Sequence, residues 1–110
     1  MHIMNGLVFG YKITLYEWEM MKEAWGTDSL YYEFGEHIYE FKDYVILGHG
    51  IIENTNDSKG IVYGLDEINM ILLEKKTDID ETIEKIKEYM CFPHVFRLPQ
   101  VWFIHLAELE

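Results

Sequence analysis

The clearest periodic signal in the chain follows Thr14. Leu15, Trp18, Met21 and Trp25 recur at helical spacing. Thr14 and Glu17 form a capping-box pattern, in which hydroxyl and carboxylate each satisfy an orphan N–H at a helix start. Gly26 supplies a left-handed stop, so a helix is expected over 15–25. Before it, residues 7–13 read as a strand, weakened or bulged at Gly10. Residues 29–34 are aromatic and fit neither period. Residues 37–41 alternate, with His37, Tyr39 and Phe41 opposite Ile38 and Glu40, which reads as a strand. Lys42 and Asp43 make a turn into 44–52, an apolar, β-branched run suited to a central strand covered on both faces. Residues 54–60 read as a polar loop and 60–63 as a returning strand.

Over 65–76 the acids come first (Asp66, Glu67) and the lysines last (Lys75, Lys76), which suits a helix dipole. Residues 68–73 are also short and apolar enough for a buried strand; the helix is the favoured reading. From 78 to 90, Asp78 and Glu81 repeat the capping pattern, and Ile79, Ile83, Ile86 and Met90 form one apolar face ending before Pro93. After Pro99, residues 101–106 form a last strand, apolar except for His105. The expected architecture is a single α+β domain over 1–110. It is an antiparallel sheet of about four to five strands with two or three helices packed on one face.

Charge changes the picture. Asp and Glu number 20 against 9 Lys and Arg, for a net charge of -11, yet 49% of residues are apolar and 15% aromatic. An acidic disordered tail would lack that apolar content. Direct nucleic-acid binding needs a basic face, and anionic membrane is disfavoured for the same reason. Arg97 is the only arginine. Cys91 is the only cysteine, so no intramolecular disulfide forms and a reducing compartment is the simplest reading. No run approaches the roughly 20 apolar residues of a membrane span. Residues 1–6 lack the basic start of a signal peptide, so a cytoplasmic protein is expected.

Candidate chemistry is sparse. Cys91 and His94 have the spacing of half a zinc site, but no second pair completes it. Cys91 carries no nucleophile signature. His49 lies between Gly48 and Gly50, which more simply mark a bulge or a strand crossing. His105 reads as a core histidine. Asn54, Asn56, Asp57 and Ser58 suggest a calcium loop, but Lys59 and Leu65 stand where an EF-hand requires Gly and Glu. Phosphate-binding and nucleophile-elbow motifs are absent from the sequence. Neither an enzyme, nor a metal site, nor a cofactor is expected.

The feature that stands out is 28–44, where carboxylates alternate with aromatics and Lys42 is the one basic residue. Tyrosine is enriched at interfaces, carboxylates accept bidentate bonds from arginine, and aromatic faces attract guanidinium. The candidate partner-binding residues are Asp28, Tyr32, Glu33, Glu36, Tyr39, Glu40 and Asp43. In a strand, same-face residues repeat about every 6.6 Å, so Glu36 and Glu40 would present regularly spaced charge. An ordinary half-buried strand, with aromatics inward and carboxylates solvated, accounts for the same pattern. The expectation is an acidic interaction module. It would inhibit a partner by occupying a basic, nucleic-acid-binding protein surface. By analogy of class alone, size and acidity fit the small phage or mobile-element inhibitors, anti-CRISPR and anti-restriction proteins among them; no family motif names a relative. The alternatives are an assembly module acting as a homodimer, given three Trp and eight Tyr in a small domain, and a ligand-binding protein with an aromatic pocket lined by His49 or His105.

Overall fold

In a computed structural model of the protein, residues 2–55, 64–90 and 97–108 are described. Strand β1 (His2–Thr14) leads into helix α1 (Leu15–Trp25), helix α2 (Thr27–Phe34) and a 3-10 turn (Gly35–His37). Strands β2 (Ile38–Glu40) and β3 (Tyr44–Thr55) follow, then helices α3 (Leu65–Glu74) and α4 (Lys76–Tyr89), and strand β4 (Gln100–Glu108). The four strands form one antiparallel sheet in the order β2-β3-β1-β4.

Local sequence explains most boundaries. The Glu17 amide donates to Thr14 Oγ1 at 3.1 Å and the Thr14 amide to Glu17 Oε1 at 2.9 Å, so the capping box at α1 is complete. Gly26 ends α1 at φ 87°, in the backbone region that favours glycine. The run 65–74 is helical, with the Gly64 amide donating to Glu67 Oε1 at 3.2 Å. Helix α4 starts two residues before Asp78, which therefore lies inside the helix and caps nothing. Residues 29–34 are helical, because Leu30 and Phe34, four apart, both reach the core. The strand expected over 37–41 is shorter: His37 belongs to the 3-10 turn and only Ile38–Glu40 pairs with β3. Asn54 and Thr55, read as loop, extend β3. Asn56–58, the return over 60–63, and the Cys91 and His94 pair lie outside the described residues.

The sheet has two unlike faces. Tyr11, Ile13, Val45 and Leu47 face the helices and pack with Trp18, Met21, Leu30, Phe34, Ile79, Ile83, Ile86 and Met90. Fully burying such a side chain contributes about 1.5–3 kcal/mol, so this layer dominates stability. On the other face Val8, Ile46 and Ile104 are buried beneath the half-buried rings of Tyr39, Phe41, Tyr44 and Trp102. Leu7 opposes Ile52 and Val8 opposes Gly50, leaving Ile51 as the extra residue of a β-bulge. Gly10 and Gly48 oppose each other in the register. A Cβ on Gly10 would collide with the Leu47 carbonyl, and one on Gly48 with the Phe9 carbonyl. Close strand approach thus explains both glycines. The Trp102 indole N–H donates to the Gly10 carbonyl at 2.9 Å.

Candidate interaction surface

The acidic, aromatic segment begins in α2. Leu30 and Phe34 anchor one face of that helix in the core, which turns Asp28 and Tyr32 outward; Tyr32 is 88% exposed. Glu33 lies between the two faces and pairs with Lys85 of α4 at 3.3 Å. The 3-10 turn then carries exposed Glu36, and β2 carries exposed Glu40. Because β2 is an edge strand, Glu40 and the turn that leads into it lie at one border of the sheet. Among the described residues, Asp28, Glu36 and Glu40 form no ion pair.

Two features depart from expectation. Glu36 and Glu40 do not share a strand, so they do not form a strand-spaced row of charge. Nor do the seven candidate residues share one face. Tyr39 opposes Ile46 and packs on the sheet face away from the helices. Asp43 lies in the β2–β3 turn and lines a cleft of about 520 Å³ with Lys12, Glu17, Tyr44 and Arg97. In that cleft Arg97 pairs with Glu17, and Lys12 lies 4.5 Å from the Tyr44 ring centroid. The structure turns Asp28, Tyr32, Glu36 and Glu40 toward solvent, pairs Glu33 with Lys85, and places Tyr39 on the opposite sheet face and Asp43 in the β2–β3 turn.

His49 is half-buried. Its Nδ1 lies 3.2 Å from Thr82 Oγ1, and that hydroxyl already donates to the Asp78 carbonyl at 2.9 Å. The hydroxyl proton is therefore committed, so His49 Nδ1 carries the proton between them. The His37 ring stacks on His49 at 5.4 Å, and burial, reinforced by the neighbouring His49, lowers the His37 pKa from 6.5. Residues 37, 49 and 82 come from a turn, a strand and a helix, and no sequence spacing links them. Among the described residues, no group of three or more His, Cys, Asp or Glu side chains could hold a metal ion.

A second surface was not visible as a site in the sequence. Helix α3 buries none of its residues, and Leu65, Met70 and Leu73 are 73%, 61% and 72% exposed. Its available signal was an apolar pattern all round the helix, which normally means burial. A groove of about 430 Å³ runs between Leu72 and Leu73 of α3, Ile79 of α4 and Phe9 of β1. Next to Phe9 in the sheet, Val101 and Phe103 of β4 are exposed, Phe103 by 72%.

The class is thus a single antiparallel sheet layered on one face by helices. In the comparisons with known proteins no family model matches the chain, and no curated protein or solved structure matches it. No described helix is long and apolar enough to cross a membrane.

Proposed function

We propose that the protein is an acidic interaction module that inhibits a nucleic-acid-handling partner by occupying its basic surface. The observation that supports this reading is the border formed by α2, the 3-10 turn and β2. Exposed Asp28, Glu36 and Glu40 flank in sequence an almost fully exposed tyrosine, Tyr32, in a chain of net charge -11. A tyrosine held in water by a rigid helix offers a contact that a solubilising surface does not require. Carboxylates with no ion pair among the described residues are available to arginine or lysine of a partner. Their combined field would speed encounter with a basic groove and make binding depend on salt.

The test uses purified nucleic-acid-handling proteins with basic grooves and labelled duplex DNA. The expected result is displacement of DNA by the wild-type chain, weakening steeply as salt rises. The triple variant Asp28→Lys, Glu36→Lys, Glu40→Lys should fold normally, since exposed charges contribute little to stability, and should displace nothing. Tyr32→Ala should weaken displacement without altering stability. A folded triple variant that displaces DNA as well as the wild type would overturn the reading.

A further inference from the structure

We propose that the β4 edge is the interface of a two-fold homodimer, in which two copies of β4 pair antiparallel to make one continuous sheet. The inference does not depend on the acidic border being an inhibitory surface.

The two edges of the sheet are built differently. Strand β2 has three residues, ends in Glu40 and is followed by Lys42 and Asp43. Short edges carrying charge resist pairing with another chain. Strand β4 runs nine residues, and residues 98–107 contain no Asp, Glu, Lys or Arg. Among the described residues its outer edge pairs with nothing. A long, uncharged edge is a template for another strand, and its backbone donors and acceptors need partners.

The helical layer stops short of the same edge. Helix α4 packs over β3, and α3 reaches Phe9 of β1. The helix-side residues of β4, Val101 and Phe103, are left exposed beyond it. An antiparallel pair of β4 strands is related by an axis perpendicular to the sheet, so the helices of both copies lie on one side. Helix α3 of each copy then flanks the bare strands, and Leu73 and Phe103 gain apolar neighbours. Contiguous apolar patches mark interaction sites more often than singly scattered surface hydrophobes do.

Charge selects the occupant. Two chains of net charge -11 repel over most of their surface, and an uncharged edge is where they meet at least cost. Between Gln100 and Ala107 a basic protein would find no carboxylate for its cations; the first lies at the end of the strand, at Glu108.

The test is the mass of the full chain by sedimentation equilibrium across micromolar concentrations. The expected mass is twice 13.2 kDa. Phe103→Glu should halve it while the far-ultraviolet circular dichroism is unchanged. If Phe103→Glu does not fold, Leu73→Glu on the exposed side of α3 decides the question, with the same halving expected. A wild-type chain that stays at 13.2 kDa throughout would overturn the proposal. So would a dimer that persists in the folded variant, because its interface would then lie elsewhere.

Discussion

The Tyr11 hydroxyl gives a direct test of the packing argument. Tyr11 is 2% exposed at the centre of the helix-side core, and its buried hydroxyl oxygen has no hydrogen-bond partner among the described residues. The charges acting on it are Lys87 and Glu84 of α4, and these bond to each other at 3.2 Å. An unsatisfied buried hydroxyl costs about 1–3 kcal/mol. Tyr11→Phe keeps the ring and removes that cost, so it should stabilise the protein by about 1 kcal/mol at neutral pH. In urea the midpoint should rise by about 0.5 M with unchanged slope. The melting temperature should rise by roughly 4 °C. Alkaline pH supplies a second reading. Burial raises the Tyr11 pKa above 10.0, so above pH 10 the unfolded chain loses that proton before the folded one does. Wild-type stability should therefore fall as pH rises from 10 through the folded pKa, and the Tyr11 contribution to that fall should vanish in the variant. A destabilisation of about 1 kcal/mol on Tyr11→Phe would refute the reasoning, since it would mean that the hydroxyl makes a favourable bond.

Two further outcomes are expected. Thr14→Ala removes one half of an observed capping box and should cost about 1 kcal/mol in denaturant titration, with α1 otherwise intact. Burial and His49 lower the His37 pKa below 6.5, so the unfolded chain takes up a proton there first; stability should drop as pH falls from 6.5 through the folded value, and His37→Gln should reduce that drop in pH-dependent urea melts.

What the sequence revealed follows the range of the forces involved. Helix α1 was legible because its cap, apolar face and stop lie within thirteen residues, 14–26, and act locally. The apolar face of α4 was legible for the same reason, although its start was not. Asp78 and Glu81 have the right spacing, but the chain enters α4 directly from α3 through Lys75, so the helix begins earlier. Residues 29–34 fitted neither period because only Leu30 and Phe34 of that run are anchored, and their spacing reads as a helix once there is a core to reach. The candidate residues consequently split. Asp28 and Tyr32 on α2 face water, Glu33 pairs with Lys85, and Tyr39 belongs to the opposite sheet face by its register with Ile46. Nor could periodicity show which edge strand would be left bare. That depends on the strand order β2-β3-β1-β4 and on where the helical layer ends.

The same strand order keeps the two proposed surfaces apart, which yields a final prediction. The acidic border lies at β2 and the apolar edge at β4, three interstrand gaps away. At about 4.8 Å per gap this is roughly 14 Å. The Debye length at physiological salt is about 8 Å, so exposed charges on one border are largely screened at the other. Reversing Asp28, Glu36 and Glu40 to Lys should therefore leave the sedimentation mass unchanged, and Phe103→Glu should leave binding of a single acidic border to its partner unchanged. Asp28, Glu36 and Glu40 are exposed and form no described ion pair, so their reversal breaks no contact that holds the sheet. Loss of dimerisation in the folded triple lysine variant would show that the acidic border takes part in self-association. In that case carboxylates would be meeting cations of the second copy, and the uncharged β4 edge would no longer account for the assembly.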